Sequence, residues 1–467
     1  MKNGSLFDKL KAYSDGGSLP MHMPGHKRSA RFEYLSHVGG GLDITEIDGF
    51  DDLNCPEEIF ADSERLAAEL WGSRRCLYSV NGSSGAILAS VRAALLSSGS
   101  KRVVMARNCH KSVYHAVELC GADVTYIKPA CGEYGICLSV EPEEVRRALE
   151  KEGSALVIIT SPTYEGVLSD VGAISAVCRE YGVPLLVDEA HGAHLGLYGI
   201  FPDGAVKAGA DIVVQSIHKT LPSLTQTALL HVCSEAVPYG EICRQMAIFQ
   251  TSSPSYLLSA SIDGAVRYLA SEEGRRNLTE WYGEAVRMRD ALCGLDNIRV
   301  FRGGDGVYDV DVSKAVLSGG VRLAEYLREY HKVELEMTSA SYVIAMTGAG
   351  DDSVSLERFV QAVKAADAEL GDAIKTPIEG VDPSHVPSRD ISSWEAVRLQ
   401  SERMPLDRAV GCICGEYVYA YPPGVPILVP GETVDLASVE NVRALEAGGV
   451  SVRCREKGFL DVIKTDE

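Results

Sequence analysis

Six short apolar segments between residues 102 and 232 constrain the fold more than any other feature of the sequence. They are rich in Val, Ile and Leu and do not alternate with polar residues: 102–106 (RVVMA), 123–127 (DVTYI), 155–160 (ALVIIT), 183–188 (VPLLVD), 211–216 (DIVVQS) and 227–232 (TALLHV). Strands covered on both faces have this pattern. Helical spacing separates them, as over 170–181, where Asp170 is a candidate N-cap and Gly182 a candidate stop. We predict an α/β domain with a mostly parallel sheet.

The remainder of the chain has a mixed pattern. It predicts helices over 275–296 and 321–330, strands over 308–312 and 342–346, an irregular segment over 371–390, and a stretch dense in proline and aromatic residues over 417–432. Turn residues and weak periodicity are the basis for the irregular segment. We therefore predict three parts: an N-terminal segment (1–70) that packs on a large domain (71–274), and a smaller α+β domain (275–467).

Charge and composition exclude several classes of protein. The chain carries 45 Lys plus Arg and 65 Asp plus Glu, so its net charge is −20, which argues against nucleic-acid and membrane-surface partners. Hydrophobic residues make up 46%, enough for large cores. The N-terminus lacks the apolar region of a signal peptide, and no uncharged apolar stretch of about 18 residues is present. Thirteen scattered cysteines without a Cys-x-x-Cys pair do not indicate a disulfide framework. We predict a cytoplasmic protein.

An acidic and a basic residue follow two neighbouring predicted strands. Asp188 ends the run 183–188, and Lys219 follows the run 211–216. Ligands of open α/β sheets bind beyond the carboxyl ends of strands. A Lys amine can form a Schiff base with pyridoxal phosphate, and an Asp can keep the pyridine nitrogen protonated. A surface Lys and a helix-capping Asp would show the same spacing, so the residues alone leave both interpretations open.

Three further segments carry candidate site residues. The segment 80–86 (VNGSSGA) precedes a helical pattern, so its backbone N–H groups and the hydroxyls of Ser83 and Ser84 could bind a phosphate, although a simple helix cap has the same composition. His110 follows the run 102–106 and could stack on a pyridine ring. His191 and His194 are poorly spaced for a metal on one helix face, and no metal is predicted.

Together these segments resemble the ornithine/lysine/arginine decarboxylases of the fold-type-I pyridoxal-phosphate superfamily. The resemblance rests on 188–194 (DEAHGAH), 215–231 (QSIHKTLPSLTQTALLH), 80–86 (VNGSSGA) and 107–112 (RNCHKS), and it extends to 21–27 (MHMPGHK), 43–72 and 419–432 (YAYPPGVPILVPGE). It implies an aspartate-aminotransferase-like large domain. The first motif begins so early that we expect the compact form of the family, without an N-terminal wing domain.

The resemblance also implies roles for individual residues. Lys219 would bind pyridoxal phosphate covalently, and Asp188 would pair with its pyridinium nitrogen. His218 would be a candidate proton donor. The other residues implied in cofactor binding are Ser83, Ser84, Gly85, His110, His191, Ser216 and His218, with Thr251 and Ser252 reaching the phosphate of a neighbouring subunit. A homodimer or higher homo-oligomer is therefore expected.

This chain departs from larger relatives at two places. The residues Ser83-Ser84-Gly85-Ala86 stand where the larger relatives have Thr-Ser-Thr-Ser. This removes a hydroxyl, so backbone N–H groups would make more of the hydrogen bonds to the phosphate. Ala190-His191 stands where some have Ala-Trp, so their substrate preference cannot be transferred.

The resemblance implies decarboxylation of arginine, lysine or ornithine to the corresponding amine and CO₂. The residues do not distinguish these substrates. The carboxylates that could bind the distal cation are Glu46, Asp48, Asp51, Asp52 and Glu416, although a residue of this kind is more often part of a solvated acidic face. Biosynthetic polyamine supply is the role we expect, by analogy. The alternatives are another fold-type-I reaction, such as transamination or a lyase reaction, and a non-catalytic regulatory homologue.

Overall fold

A computed structural model describes residues 4–151, 153–374, 385–422 and 424–464. Half of the predicted irregular segment, 375–384, lies outside the described residues. The helices are α1 Leu6–Asp15, α2 Glu33–Ser36, α3 Ile59–Trp71, α4 Gly82–Ser98, α5 Lys111–Cys120, α6 Pro142–Lys151, α7 Val171–Glu180, α8 Ala205–Ala208, α9 Ile217–Thr220, α10 Tyr239–Phe249, α11 Tyr256–Leu269, α12 Glu272–Ala291, α13 Gly320–His331, α14 Ser353–Leu370, α15 Ser393–Ala396 and α16 Leu436–Ala447.

The strands are β1 Arg75–Ser79, β2 Arg102–Ala106, β3 Asp123–Ile127, β4 Leu156–Thr160, β5 Val167–Leu168, β6 Leu185–Asp188, β7 Ile212–Gln215, β8 Ala228–Val232, β9 Asp309–Val310, β10 Lys314–Ser318, β11 Met337–Thr338, β12 Tyr342–Met346, β13 Ser401–Pro405, β14 Val418–Ala420, β15 Pro426–Leu428, β16 Val452–Arg453 and β17 Phe459–Ile463. Within the described ranges, no helix combines the length and the apolar character that crossing a bilayer requires.

The chain divides into two compact units. The first consists of Met1–Ala93, Leu186–Glu280 and Gly348–Gly350, and the second of Ala94–Leu185, Trp281–Thr347 and Asp351–Glu467. Seven strands make up the mostly parallel central sheet of the α/β fold, as predicted. The predicted three-part division at residues 70/71 and 274/275 stays a prediction.

In the first unit the strand order is β1-β8-β7-β6. Strands β6 and β7 are parallel, whereas β8 is antiparallel to both of its neighbours, β7 and β1. Helix α1 packs against α11, where the buried Asp263 carboxylate accepts a 2.7 Å hydrogen bond from the backbone N–H of Leu6. This contact fixes the N-terminal helix on the unit.

In the second unit the parallel strands have the order β4-β2-β3. Smaller antiparallel sheets accompany them, in the orders β10-β12-β11, β15-β14-β16, β13-β17 and β5-β9. Three apolar clusters fill this unit. One lies between α12, α13, α14 and the β10-β12 sheet, one around β14, β17 and α16, and one around Ile136, Phe301 and Tyr342.

Most predicted elements occur where the pattern placed them. The strands predicted over 102–106, 123–127 and 342–346 are confirmed to the residue. Helix α7 begins after Asp170, whose carboxylate accepts the Ala173 N–H at 2.9 Å, and Gly182 behind it has a φ of 66°. Such a φ favours glycine, so the predicted stop is confirmed as well.

Two predicted elements differ from the structure at both of their ends. The strand expected over 308–312 shrinks to β9, because the Asp311 carboxylate accepts hydrogen bonds from the Ser313 N–H and hydroxyl and begins a turn. The helix expected over 275–296 is α12, which begins three residues earlier and ends at Ala291, before Gly294 with a φ of 95°.

Helix α3 buries an acidic side chain. Glu64 is 7% exposed, and its Oε1 accepts the backbone N–H of Tyr78 at 3.0 Å. Burial raises the pKa of Glu64 from 4.5 to about 8, with a smaller contribution from Asp51 and an opposing one from the Tyr78 N–H. A carboxyl group in this position is mostly protonated at neutral pH in the folded protein.

We expect this carboxyl group to make the protein less stable as the pH rises. Because the pKa of Glu64 is higher in the folded than in the unfolded state, its stabilising contribution is complete below about pH 4.5 and is lost as the pH rises through about 8. Relative to Glu64→Gln, the wild type should lose up to about 1.4 kcal/mol of unfolding free energy per pH unit in this window. Denaturant titrations from pH 5 to 8 measure it. The exposed Glu69→Gln is the control, and parallel curves for wild type and Glu64→Gln would contradict the assignment.

Candidate active site

Two adjacent strand ends carry the central residues of the site. Asp188 is the last residue of β6 and pairs with Val214 of the parallel strand β7. Ser216 follows β7 directly and precedes the short helix α9, which contains His218 and Lys219. The structure therefore brings Asp188 and Lys219 to neighbouring strand ends, as the sequence predicts.

The Lys219 amine contacts an imidazole. Its Nζ lies 2.7 Å from Nε2 of His191, which is buried in the loop after β6. A Lys ammonium has only donors, so Nε2 of His191 is the acceptor and does not carry the proton. His191 thus orients the amine of Lys219, the side chain predicted to bind a cofactor covalently.

Asp188 is a buried carboxylate. It is 2% exposed, and Oδ1 accepts the backbone N–H of Ala190 at 3.1 Å. Burial raises the pKa of Asp188, while the charge of Lys219 and the Ala190 N–H oppose that change. Since a buried carboxylate is costly unless it is paired, this position favours a ligand that brings a cationic N–H group.

His218 is held in one tautomer. Its Nδ1 lies 2.8 Å from the carbonyl oxygen of Thr227, which can only accept, so Nδ1 carries the hydrogen and Nε2 is left as the other ring nitrogen. Burial lowers the pKa of His218, the Thr227 carbonyl raises it and Lys219 lowers it. His218 is therefore neutral at pH 7 and gives up an added proton readily.

The Gly/Ser loop lies beside His218. The N–H of Gly82 donates to the carbonyl of Gln226 at 2.9 Å, and Gln226 directly precedes Thr227, which binds His218. Ser83, half-buried, and Ser84, exposed, stand in the first turn of α4, where backbone N–H groups have no acceptor within the helix.

Gly85 in that turn has no room for a side chain. A Cβ there would lie 2.9 Å from Asn81 Cβ and 3.8 Å from the carbonyl oxygen of Phe249. Glycine therefore lets the Asn81 side chain pack closely against the first turn of α4.

Sequence reasoning missed two glutamines that hold this loop. Gln226 Nε2 donates to the carbonyl of Val80 at 2.6 Å, and Gln250 Oε1 accepts the N–H of Val80 at 3.0 Å. Gln226 also has a φ of 83°, an uncommon backbone for a residue other than glycine. The polar run before β8 contains Gln226, but nothing in the sequence indicates that it reaches a loop 146 residues away.

His110 belongs to the second unit. It caps the N-terminus of α5, with Nδ1 accepting the Ser112 N–H at 3.2 Å and lying 2.8 Å from the Ser112 hydroxyl. A Cβ on Gly424 would lie 3.2 Å from the imidazole, and the Gly424 carbonyl accepts the Lys111 N–H at 3.0 Å. The proline-rich segment therefore packs on the edge of His110, a contact that the sequence did not predict.

Thr251 and Ser252 are exposed in the first unit. The Asn54 side chain lies 3.4 Å from the carbonyl oxygens of both residues. Pro254 and Tyr256, a few residues further on, are buried and anchor the segment. The two hydroxyl side chains thus face outward from a fixed backbone.

Two of the candidate carboxylates for the substrate's distal cation are used structurally. Asp51 accepts four backbone N–H groups, those of Asp52, Glu57, Glu58 and Phe60, at 2.9–3.0 Å. Glu416 accepts the backbone N–H groups of Arg455 and Asp461 at 2.6 and 2.7 Å. Glu46, Asp48 and Asp52 remain as candidates.

Family models match most of the chain. The model described as Orn/Lys/Arg decarboxylase, major domain, matches residues 4–306, and the model of the C-terminal domain of the same family matches residues 382–450. The chain belongs to the Orn/Lys/Arg decarboxylase family. It is an amino-acid decarboxylase by this membership, and the resemblance inferred from the motifs is confirmed.

Two similar curated proteins match nearly the whole length of this decarboxylase, and a third matches part of it. An arginine decarboxylase of Bacillus subtilis is 31% identical, over 98% of this chain and 97% of its own. An arginine decarboxylase of Halalkalibacterium halodurans is 30% identical, over 99% of this chain and 98% of its own. The biodegradative arginine decarboxylase of Escherichia coli is 26% identical over 62% of this chain.

Solved structures confirm the fold. The constitutive lysine decarboxylase of Escherichia coli has a TM-score of 0.81 over 98% of this chain and 82% of its own, at 18% identity. A sphingosine-1-phosphate lyase of Burkholderia pseudomallei has a TM-score of 0.57 over 80% of this chain and 93% of its own, at 17% identity. The predicted fold-type-I class is therefore confirmed.

The family and the fold imply pyridoxal phosphate as the cofactor, and the residues present fit it. The Ser216 hydroxyl is buried and has no hydrogen-bond partner among the described residues, so it is available to a ligand. Asp188 offers a buried carboxylate to a cationic ring nitrogen. These two observations match the phosphate and the pyridinium ring of this cofactor.

Proposed function

We propose that this decarboxylase removes CO₂ from a basic amino acid, with arginine as the preferred substrate and pyridoxal phosphate as cofactor. The observation that carries the proposal is the placement of buried Asp188 at the end of β6 and of Lys219 just after the end of the adjacent parallel strand β7. When bound, the cofactor supplies an electron sink for the negative charge that departing CO₂ leaves on the substrate carbon.

Lys219 and Asp188 have different tasks in this proposal. Lys219 would hold the cofactor through its side-chain nitrogen. His191 Nε2, 2.7 Å from the Lys219 amine, keeps this side chain oriented. Asp188 keeps a proton on the ring nitrogen, since burial makes the unpaired carboxylate unfavourable.

The first-turn residues of α4 and the end of β7 are proposed to bind the phosphate. Ser83, Ser84 and the backbone of Gly85 offer hydroxyl and N–H donors, and Ser216 offers its buried hydroxyl. His110 is proposed to stack on the cofactor ring.

His218 is the proposed proton donor to the substrate carbon after CO₂ has left. The N–H at Nδ1 of His218 donates to the Thr227 carbonyl, so Nε2 is the nitrogen that takes up and delivers a proton. The lowered pKa of His218 makes this delivery favourable. Lys219 is the alternative donor.

Arginine is the first substrate to test, because the curated relatives that match nearly the whole chain include several named arginine decarboxylase. The product would be the corresponding amine, which suits a role in cytoplasmic polyamine supply. Glu46, Asp48 and Asp52 are the carboxylates proposed to attract the distal cation.

The substrate is tested by measuring kcat/KM for arginine, lysine and ornithine separately, with the amine products separated by chromatography. We expect the value for arginine to exceed the other two at least tenfold, which corresponds to about 1.4 kcal/mol of discrimination. A higher value for lysine or ornithine would overturn the substrate assignment and leave the decarboxylase assignment intact.

The charge of Asp188 should matter for the rate. Replacing Asp188 by Asn removes a charge-assisted hydrogen bond worth about 1.5–3 kcal/mol, so kcat/KM should fall roughly 10- to 100-fold. Steady-state kinetics measure this loss, and the exposed Asp62→Asn in the same unit is the matched control. A change of less than twofold in Asp188→Asn would exclude a role for this carboxylate at the ring nitrogen.

We also propose a homodimer as the minimal active form. The exposed Thr251 and Ser252 hydroxyls lie on an anchored backbone, which suits contact with the cofactor phosphate in a second copy of the chain.

A further inference from the structure

A short hairpin in the second unit places two cysteines opposite each other. Between residues 130 and 138, the N–H of Gly132 donates to the carbonyl of Ile136 at 2.9 Å, and the N–H of Leu138 donates to the carbonyl of Ala130 at 2.8 Å. These two hydrogen bonds flank the antiparallel bridge between Cys131 and Cys137.

The pattern defines the spacing of the two cysteines. Because the flanking pairs make the hydrogen bonds, Cys131 and Cys137 form a non-hydrogen-bonded pair, in which the Cα atoms are about 4.5 Å apart and both side chains leave the same face. A disulfide needs Cα atoms roughly 4.4–6.8 Å apart. The backbone of the hairpin therefore already has a spacing that a disulfide can bridge.

The two cysteines differ in access to solvent. Cys131 is exposed and Cys137 is half-buried, and both are thiols in the structure. An exposed thiol reacts first with a small molecule, and a less exposed neighbour resolves the product. The hairpin thus contains an attacking and a resolving position.

We propose that Cys131 and Cys137 form a reversible disulfide when the protein meets a small-molecule disulfide such as oxidised glutathione. The Cys131 sulfur attacks one sulfur of the oxidant and loses its proton, and one small thiol leaves. The Cys137 sulfur then attacks the Cys131 sulfur, loses its proton and releases the second small thiol. The protein dithiol is oxidised by two electrons, and the small disulfide is reduced to two thiols.

This bond would protect the exposed thiol and stiffen the hairpin. A disulfide keeps Cys131 from the irreversible oxidation steps that follow sulfenic acid. The hairpin tip is joined to the rest of its unit by the Ser341 hydroxyl, which donates to the carbonyl of Tyr134 at 3.1 Å. A disulfide between Cys131 and Cys137 should therefore slow backbone amide hydrogen exchange over 130–138.

The test treats the full-length protein, loaded with cofactor, with oxidised glutathione. We expect the intact mass to fall by two hydrogens, peptide mapping to locate a Cys131–Cys137 bond, and hydrogen exchange of the 130–138 peptide to slow severalfold. Cys137→Ser should instead keep glutathione on Cys131. The exposed Cys55→Ser, outside the hairpin, is the control and should form the same bond as wild type.

Three results would overturn the proposal. They are a stable glutathione adduct on Cys131 of the wild type, a bond from Cys131 to a different cysteine, and no reaction at either position. All of these readouts are independent of decarboxylase activity.

Discussion

Replacing Lys219 by Ala should lower kcat/KM for decarboxylation more than about 10³-fold, since losing a covalent catalytic group commonly has effects of at least this size. The same variant should lack the visible absorption band of protein-bound pyridoxal phosphate. The physical reason is that the Lys219 amine, which lies 2.7 Å from His191 Nε2, is the side-chain nitrogen proposed to bond to the cofactor. Absorption spectra and CO₂ release measure the two effects.

Two further variants separate chemistry from charge and folding. Lys219→Arg keeps the positive charge but cannot form the covalent bond, so it should be as inactive as Lys219→Ala. The exposed Lys11→Ala should behave as wild type. An activity of Lys219→Ala within tenfold of wild type would exclude Lys219 as the covalent residue.

The Lys219→Ala protein also tests the dimer. If Thr251 and Ser252 act on a neighbouring subunit, mixed dimers of Lys219→Ala with a Thr251→Ala/Ser252→Ala protein contain one complete site. Such mixtures, after subunit exchange, should be more active than either parent. Mixtures that are no more active than their parents would exclude this arrangement.

Replacing Glu432 by Ala should destabilise the protein by about 3–5 kcal/mol, the usual cost of removing one partner of a buried ion pair. Glu432 is 0% exposed and Arg107 is 2% exposed, and Arg107 Nη2 lies 3.1 Å from Glu432 Oε2. Burial raises the pKa of Glu432, and the Arg107 charge opposes this change. Without the carboxylate, a buried guanidinium would be left without its counter-charge.

Thermal and denaturant unfolding measure this loss, and an exposed pair provides the control. Glu69→Ala removes the partner of Arg65 at the surface and should cost less than about 1 kcal/mol. The apolar double variant Arg107→Met/Glu432→Leu should recover much of the loss, because it removes both buried charges. A loss in Glu432→Ala as small as in Glu69→Ala would contradict the stabilising role of the pair.

The sequence predicted the strands better than their directions. Runs such as 102–106 and 123–127 are confirmed as β2 and β3, because uninterrupted Val and Ile mark strands covered on both faces. The run 227–232 has the same composition, yet β8 runs antiparallel to its neighbours. The direction of a strand depends on the connection that precedes it, which for β8 is the loop and helix after β7. The composition of the strand itself does not specify that connection.

The site could be predicted where it depends on strand ends. Asp188 ends β6, and Lys219 lies in the short helix α9 just after β7, so their proximity follows from the parallel pairing of these two strands. Gln226 and Gln250 reach Val80 from segments 146 and 170 residues away along the chain, and no local pattern encodes such contacts. Asp51 and Glu416 were candidates for substrate binding, but the structure shows that they accept hydrogen bonds from backbone N–H groups. Acidic residues with these two roles look the same in the sequence.

The most direct test of the decarboxylase assignment uses arginine, lysine and ornithine, each labelled at the carboxyl carbon, with purified protein in the presence and absence of pyridoxal phosphate. The account predicts labelled CO₂ and the matching amine in equal amounts from at least one of the three, and only with the cofactor. Formation of a keto acid without labelled CO₂, or no turnover of any of the three, would contradict it.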